Sequence, residues 1–223
     1  YKTYNIYKIY TRHDMKKTLI TLAALLPLLA ACTGNKAYKG ADSDSAVIQE
    51  AQADLDSIDA IPLPDLTEQG LGPVRVGMPI DSLPEGVENL YDQVQMDDTP
   101  DAVALTFLLQ DKPMFTVYNF GDGNVDVISL ESDRLGFRTD NGTVRLGDPL
   151  RMLLDVKGVS TDFASADDSG EWYWRCDGLW IGPDPAKCTP ELIRALSSRN
   201  NPPVAALVDS SVSIGYIATG LPF

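Results

Sequence analysis

The sequence is poor in histidine and in basic side chains. Its 223 residues include one histidine and 18 lysines and arginines against 32 aspartates and glutamates, which gives a formal net charge of −14. A protein that binds nucleic acid needs a basic surface, so this balance argues against a nucleic-acid partner. The single histidine, His13, lies upstream of Met15. A mature chain that starts beyond this methionine has no histidine for a catalytic triad or for a zinc site.

Long apolar stretches are equally scarce, and the one sustained example spans residues 19–32. It is shorter than the roughly 20 residues that a bilayer-spanning helix needs, and it contains Pro27, so a transmembrane anchor is disfavoured. Met15, Lys16 and Lys17 precede the stretch. A cationic start, a short apolar run and small residues at its end are typical of a secretory signal peptide.

The end of this stretch, Leu29-Ala30-Ala31-Cys32, resembles the lipobox of bacterial lipoproteins. In such proteins the leader is cleaved before the cysteine, which becomes the N-terminus and carries fatty acyl chains such as palmitate. The resemblance predicts a signal peptide over residues 15–31 and lipidation of Cys32. Residues 1–14 precede the start methionine and are interpreted as an upstream translation artefact.

Lipidation would place the protein in the cell envelope, attached to a membrane through its N-terminus. Thr33, rather than aspartate, follows the cysteine. This choice resembles lipoproteins that are forwarded to the outer membrane, so we predict a lipid-anchored protein of the outer membrane that faces the periplasm or the cell surface.

Cysteine is also rare, with three in the chain. Cys32 is assigned to lipid, which leaves Cys176 and Cys188 in a compartment where thiols tend to oxidise. The glycines and prolines between them suit a short loop, so the spacing predicts a structural disulfide between Cys176 and Cys188, contributing on the order of 3 kcal/mol. A redox pair is the alternative, but such pairs usually have a Cys-x-x-Cys spacing.

Composition divides the remaining chain into a tether and a domain. Residues 32–66 are small, polar and acidic with few apolar positions, and they predict the lipidated cysteine followed by a flexible acidic tether. Residues 67–223 alternate apolar side chains with Gly, Asp and Asn, and they predict one globular domain. Asp-Ser-apolar triplets at residues 44–46, 56–58 and 81–83 resemble an O-glycosylation signal of exported bacterial proteins, with chance occurrence as the alternative.

An internal repeat marks the domain. Residues 72–80 read Gly-Pro-Val-Arg-Val-Gly-Met-Pro-Ile, and residues 142–150 read Gly-Thr-Val-Arg-Leu-Gly-Asp-Pro-Leu. Each copy predicts a short strand, a glycine turn and a helical turn opened by proline. The second copy predicts a helix over residues 150–156, whereas Pro84 and Gly86 shorten the helix of the first.

The other segments predict strands and one further helix. Thr189 as N-cap and Pro190 in the first turn predict a helix to about residue 198. Together these patterns predict an α+β fold: a mainly antiparallel sheet with two β-strand/short-helix repeats and a C-terminal helix plus strands. Apolar, β-compatible runs predict strands at residues 102–110, 114–120, 125–130, 172–175, 179–181, 204–208 and 212–218, with a hairpin turn at residues 121–124.

With these elements in place, the chain resembles the RpoE-regulated lipoprotein family of Gram-negative envelopes, a family of unknown function. The resemblance covers roughly residues 70–156, with an echo at residues 212–217. It rests on residues 70–80, on the hairpin at residues 121–127 and on the second copy of the repeat from Val144 onward. It implies an envelope lipoprotein with a compact β-rich domain, and it supplies no catalytic residues.

One short segment has a spacing that can suit a metal ion. Asp122, Asn124 and Asp126 alternate through a glycine-containing turn, a spacing that can direct oxygens toward calcium. The twelve-residue calcium loop with its terminal glutamate is absent, and Asp and Asn favour turns through their own local hydrogen bonds. The turn is therefore the favoured interpretation.

The segment 167–180 is acidic and rich in tryptophan, and it contains the candidate interaction surface. Because side chains alternate along a strand, Tyr173 points away from Trp172 and Trp174, so one side of the strand can form a contact surface. A solvated loop beside aromatic residues of the core is the plainer interpretation. The candidate surface residues are Trp172, Tyr173, Trp174 and Trp180, and the neighbouring carboxylates are Asp167, Asp168 and Glu171.

We therefore predict a lipid-anchored, non-enzymatic envelope protein that acts as an interaction or envelope-homeostasis module. Its predicted partners are the membrane, through the lipid anchor, and an envelope protein or a glycan. No catalytic residue, metal site or cofactor is predicted. The alternative is a glycan-binding or carbohydrate-active protein that uses the paired carboxylates and tryptophans of residues 167–180.

Overall fold

The computed structural model describes residues 8–11, 63–82, 90–99, 102–165 and 170–221. The chain divides into two units, one formed by Tyr1–Arg12 with Leu63–Phe223 and the other by His13–Pro62. The second unit lies outside the described residues, and so do the expected signal peptide, Cys32 and the tether up to residue 62. Within the described ranges, no helix has both the length and the apolar character needed to cross a membrane.

The described fold is mostly antiparallel β-structure, with one α-helix of seven residues. The helix is α1 (Pro190–Leu196), and three 3₁₀ helices span Leu150–Asp155, Pro185–Lys187 and Ala205–Leu207. The strands are β1 (Lys8–Thr11), β2 (Leu66–Thr67), β3 (Gly70–Leu71), β4 (Val74–Arg75), β5 (Gln93–Asp98), β6 (Val103–Leu109), β7 (Lys112–Asn119), β8 (Val127–Leu130), β9 (Gly136–Thr139), β10 (Gly142–Arg145), β11 (Ser160–Ala164), β12 (Glu171–Cys176), β13 (Leu179–Pro183) and β14 (Ile214–Ala218).

Nine of these strands form one sheet in the order β1-β5-β6-β7-β8-β14-β13-β12-β11. Strands β2–β4 and strands β9–β10 form two small separate sheets. In the large sheet, β5–β8 are consecutive in the chain and so are β11–β14, so the sheet consists of two four-stranded halves plus β1. Strand β1 comes from the segment interpreted as an upstream artefact, and it pairs with β5 at the edge.

The two halves meet at one junction, which we call the seam. Strand β8 pairs with β14 in antiparallel orientation, with Ser129 opposite Ala218. Beside this pair, the backbone N–H of Thr219 donates to the carbonyl of Ile128 at 3.0 Å. The N–H of Ile128 donates in return to the hydroxyl oxygen of Thr219 at 2.9 Å, so a side chain replaces the usual backbone acceptor.

One face of the large sheet carries the hydrophobic core. Alternate strand residues such as Phe107, Phe115, Ile128 and Ile217 are fully buried there, as the period of two in a strand requires. The small sheets, the first 3₁₀ helix and α1 add the second layer of the same core. Their buried members are Leu66, Leu71, Val74, Phe137, Val144, Leu150, Leu153, Leu192 and Leu196.

The first copy of the sequence repeat binds the loop before β8. The backbone N–H of Gly77 donates to the carbonyl of Val125 at 2.7 Å, and the N–H of Val125 donates to the carbonyl of Met78 at 2.8 Å. A third bond joins the N–H of Ile80 to the carbonyl of Gly123 at 2.9 Å. We call this set of three bonds a clasp.

The second copy forms the equivalent clasp on the residues that lead into β14. The N–H of Gly147 donates to the carbonyl of Ile214, and the N–H of Ile214 donates to the carbonyl of Asp148, both at 2.8 Å. The N–H of Leu150 donates to the carbonyl of Val212, again at 2.8 Å. The repeat in the sequence therefore corresponds to a repeated contact, and both contacts hold strands of the seam.

The elements differ from the sequence expectations in three places. The helix after the second copy is a 3₁₀ helix (Leu150–Asp155), and the continuation of the first copy lies outside the described residues. The strand expected at residues 204–208 is a 3₁₀ helix at Ala205–Leu207, because its N–H groups bond locally: those of Leu207 and Val208 donate to the carbonyls of Val204 and Ala205. Leu66 is 2% exposed and pairs within β2, so the folded domain begins before residue 67.

The helix near the C-terminus agrees with the sequence expectation. It begins at Pro190, and the hydroxyl oxygen of Thr189 accepts from the N–H of Leu192 at 3.2 Å. This is the N-cap hydrogen bond that the residue types predicted.

The disulfide expected between Cys176 and Cys188 is not present, and both residues are free thiols. Cys176 is the last residue of β12, opposite Leu179, which begins β13. Strand β13 then runs away from this turn, so its far end lies about 13 Å away at ~3.3 Å per residue. The thiol of Cys188 lies 3.4 Å from the carbonyl oxygen of Asp184, the residue directly after that far end. A disulfide requires Cα atoms within about 7 Å. The sequence prediction was therefore wrong.

The turn glycines of the two clasps provide a test of their equivalence. Gly77 and Gly147 have φ angles of +83° and +84°, and no atom lies within 4 Å of a Cβ added at either position. Replacing either with alanine therefore adds backbone strain without a steric clash. We expect G77A and G147A each to lower the free energy of unfolding by about 1–2 kcal/mol, measured by urea denaturation of the full chain.

A matched control is Val204→Ala, at a side chain that is 61% exposed and should change stability by less than about 0.5 kcal/mol. A loss in one glycine variant but not in the other would show that the two clasps do not contribute equally.

Candidate functional site on the second face of the sheet

The large sheet has a second face, opposite the core, and its chemistry is different. Val127 and Ala218 on this face are buried but do not belong to the core cluster. Thr116 and Ser129, 4% exposed each, lie beside them. The face is therefore a polar and aromatic surface rather than a second apolar layer.

Strand register places the side chains of this face in rows across the sheet. We call the first one the hydroxyl row. Each member lies opposite the next on the neighbouring strand. Its members, from β6 to β12, are Thr106, Thr116, Ser129, Ala218, Trp180 and Arg175.

The adjacent row crosses the seam and carries two tyrosines, and we call it the tyrosine row. Glu131 lies two residues after Ser129 and Tyr216 two residues before Ala218, so both lie on the same side of that antiparallel pair. The negative charge of Glu131 contributes to the raised pKa of Tyr216. Tyr216 lies opposite Gly182 on β13, and Tyr173 on β12 lies opposite Asp162 on β11. The row therefore contains a carboxylate at each end and two phenol rings between them.

Gly182 allows the two tyrosines to lie close to the sheet. A Cβ at this position would meet Cε1 of Tyr173 at 3.2 Å and Cβ of Tyr216 at 3.3 Å. The glycine thus leaves the space that the rings occupy, and a larger residue would push them away from the sheet.

The aromatic rings of the two rows stand at steep angles to one another. The centroids of Tyr173 and Trp180 are 5.9 Å apart with an interplanar angle of 80°, and those of Tyr173 and Tyr216 are 6.1 Å apart at 60°. The Arg175 guanidinium carbon lies 4.0 Å from the centroid of Trp180. The guanidinium of Arg175 therefore makes a cation–π contact with Trp180.

A chain of hydroxyl groups leads to Glu131. The hydroxyl oxygens of Thr106 and Thr116 are 3.1 Å apart. Thr116 on β7 lies opposite Ser129 on β8, two residues before Glu131.

Burial alters the acid–base behaviour of the tyrosine row. Although part of the Glu131 side chain is exposed, desolvation raises the pKa of its carboxyl, and the hydrogen bonds from Thr116 and Ser129 act in the opposite direction. Desolvation also raises the pKa of Tyr216, and the nearby Tyr173, Tyr118 and Glu131 add to this increase. Tyr216 therefore stays neutral at physiological pH, with its hydroxyl donating to the carbonyl of Gly220.

The structure divides the four aromatic residues of the predicted interaction surface between the two faces. Tyr173 and Trp180 lie on the second face, half-buried and in contact, and Tyr173 points away from Trp172 and Trp174 as predicted. Trp174 is 3% exposed in the core. Trp172 packs against the core cluster, and its Nε1 donates to the carbonyl of Ser198 at 2.6 Å. Trp174 therefore lies in the core, and the part-buried Trp172 lies beside the core on the same face of β12.

Of the neighbouring carboxylates, Glu171 is exposed at the start of β12 on the second face. Asp167 and Asp168 lie outside the described residues. The pair of carboxylates that the enzymatic alternative needs therefore includes residues whose positions are not described.

The loop that resembles a calcium site uses its oxygens internally. Oδ1 of Asp122 accepts from Nδ2 of Asn119 at 3.0 Å and from the N–H of Asn124 at 2.8 Å. Oδ2 of Asp126 accepts from the N–H of Phe120 at 2.7 Å. The described ranges contain no group of three or more carboxylate, thiol or imidazole side chains that could hold a metal ion. The Asp and Asn pattern is thus that of a hydrogen-bonded turn.

Sequence reasoning did not find Glu131 or Tyr216. Neither lies in a motif, and their proximity depends on the pairing of β8 with β14, which are far apart in the chain. The one available signal was alternation in residues 212–218, which predicted the strand but not its neighbour.

Comparison with protein-family models finds no match for this chain, and comparison with curated proteins finds none. Among solved structures, the chain is similar to the crystal structure of the uncharacterized protein yfeY from Escherichia coli. The two share 15% sequence identity with a TM-score of 0.45, over 69% of this chain and 97% of that chain. A likeness at this level assigns neither a family nor an activity.

The raised pKa of Glu131 gives a pH-dependent prediction. A carboxyl with a raised pKa in the folded state stabilises the fold at low pH, and this contribution is lost as the pH rises through that pKa. Glutamine cannot ionise. We therefore expect the stability of E131Q relative to the wild type to increase from about pH 4 to about pH 7.5, measured by urea denaturation at both pH values.

The matched control for this measurement is Glu191→Gln on α1, whose carboxylate lies 3.1 Å from Arg194. Its relative stability should not increase over the same pH range. An E131Q variant with the same relative stability at both pH values would contradict the prediction.

Proposed function

We propose that this protein is a lipid-anchored, non-enzymatic module of the bacterial cell envelope, and that its binding surface is the second face of the large sheet. Cys32 is the proposed lipidation site, and the outer membrane is the proposed location. We also propose that the chain is related to the RpoE-regulated lipoprotein family, which it resembles. In the proposed fold, two strand/short-helix repeats organise the sheet.

One observation supports this face as the binding surface. The core side of the sheet is covered by the small sheets and helices, whereas the second face presents half-buried aromatic and hydroxyl side chains. Aromatic residues with a polar group, such as Tyr173 and Trp180, are enriched where proteins bind their partners. Glu131 and Arg175 add charged groups of opposite sign that can orient a ligand.

A glycan-binding protein is a second candidate, and one observation favours it. Tyr173 and Trp180 lie together on the second face, with hydroxyl groups in the neighbouring positions. Aromatic rings beside hydrogen-bonding side chains can contact both the apolar and the polar parts of a sugar. The carbohydrate-active form of this alternative further requires Asp167 or Asp168 as a catalytic carboxylate.

Lipidation can be tested by substituting Cys32. In a Gram-negative host fed a palmitate analogue, we expect the full chain to be labelled and to fractionate with membranes. The Cys32→Ala variant should lose the label, because it lacks the acylated thiol, and should be released from the membrane fraction. The matched control is Cys188→Ala, which should remain labelled. A wild-type chain without label would refute the lipoprotein proposal.

The binding face can be tested by crosslinking in the envelope. A photoreactive residue is introduced at Glu171, which is exposed on the second face, or at Met152, which is 41% exposed on the first 3₁₀ helix. We expect crosslinked products from position 171 and few from position 152, because the helix lies on the core side of the sheet. Equal crosslinking from both positions would contradict this choice of face.

A further inference from the structure

We propose that the tyrosine row binds an alkylammonium group, held by the Glu131 carboxylate and the rings of Tyr216 and Tyr173. This proposal rests on the proposed function, because it names the ligand chemistry of the same face. An alkylammonium group occurs in polyamines and in lysyl side chains, and the chemistry at this site is the same for both.

Charge on the second face favours a cation. Among the described strand positions of this face and their immediate flank, the acidic residues are Asp97, Glu131, Asp162 and Glu171. The one basic residue among these positions is Arg175. The whole chain has a formal charge of −14, which raises the local concentration of cations around it.

Arg175 does not neutralise the carboxylate end of the row. Its guanidinium lies over Trp180, and its NH2 group donates to the carbonyl of Gly178 at 3.1 Å. Gly178 is in the turn after β12, whereas Glu131 lies across β13 and β14 in the sheet order. The described ion pairs, Arg138 with Asp65 and Arg194 with Glu191, lie elsewhere.

The ring geometry suits an ammonium group better than a flat ligand. Tyr173 meets Trp180 and Tyr216 at interplanar angles of 80° and 60°, so the three rings form angled walls rather than one open platform. Angled aromatic walls bind ammonium groups through the electron-rich ring faces. Glu131 and Tyr216 lie on the same side of the paired Ser129 and Ala218, and the charge of Glu131 acts on Tyr216, so a cation on this ring also meets a negative charge.

Hydroxyl groups lie near Glu131 on the second face. Thr116 lies opposite Ser129, two residues before Glu131, and the carboxylate oxygens of Glu131 have capacity to accept from a donor. An ammonium group has three N–H donors and no acceptor, so it can use this capacity.

The proposal is tested with the full chain in detergent, titrated with n-butylammonium and with the neutral analogue 1-butanol. Binding is followed by calorimetry and by tyrosine and tryptophan fluorescence. We expect n-butylammonium to bind, 1-butanol not to bind, and the affinity to fall as salt is added. Equal responses to the two probes would overturn the proposal.

Variants locate the site. E131Q should weaken n-butylammonium binding at least tenfold, about 1.4 kcal/mol, whereas the control E191Q should leave it unchanged. Tyr216→Phe keeps the ring and should retain binding, and Tyr216→Leu should lose it. If Tyr216→Leu fails to fold, as judged by circular dichroism, the comparison of E131Q with E191Q decides the result. Unchanged affinity in E131Q would overturn the assignment.

Two further probes distinguish the source of the group. Tighter binding of trilysine would assign a lysyl side chain of a peptide, and tighter binding of cadaverine would assign a polyamine; either result supports the site. Binding of a neutral oligosaccharide without binding of amines would overturn it in favour of the glycan alternative. Crosslinking from position 171 without amine binding would reject the ammonium site alone, whereas failure of both would also reject the binding face.

Discussion

The seam between β8 and β14 is the junction on which the large sheet depends. Each half is a run of neighbouring antiparallel strands whose pairs form within a short stretch of chain. Across the seam, Ser129 pairs with Ala218, and Thr219 extends the ladder by one step with its hydroxyl as acceptor. The halves are thus joined through few backbone bonds, and their shared core must supply the remaining stability: Ile128 and Ile217, one on each side, are both fully buried.

The two clasps explain how so short a seam is positioned. The first clasp fixes the residues before β8, and the second fixes Val212 and Ile214, where β14 begins. Each clasp consists of three backbone hydrogen bonds, with a net worth of about 1 kcal/mol apiece, and so restrains the entry of a seam strand. Gly77 and Gly147 are needed because the chain reverses there at positive φ. Both copies of the repeated sequence therefore help to position the strands of the seam.

The sequence predicted those features that depend on residues close together in the chain. The repeat, the Thr189 cap and the opposite orientation of Tyr173 and Trp174 follow from spacing and strand geometry. Strand β5 was missed because its sequence, Gln-Val-Gln-Met-Asp-Asp, has few β-branched residues and is strongly acidic at its end. The predicted disulfide failed because spacing between cysteines does not reveal the direction of the strand between them. Glu131 and Tyr216 required the β8–β14 register, a non-local pairing that no short pattern encodes.

The candidate site and the weak junction coincide, and this has a consequence for function. Glu131 belongs to one half of the sheet and Tyr216 and Tyr173 to the other, so a ligand held by these residues bridges the seam. A ligand that binds the joined sheet but not the separated halves stabilises the joined state. At a ligand concentration about a hundredfold above Kd, this stabilisation is about 2.7 kcal/mol. That gain is comparable to several backbone hydrogen bonds. A binding face placed over the seam thus links occupancy to the integrity of the whole sheet, which a site within one half would not do.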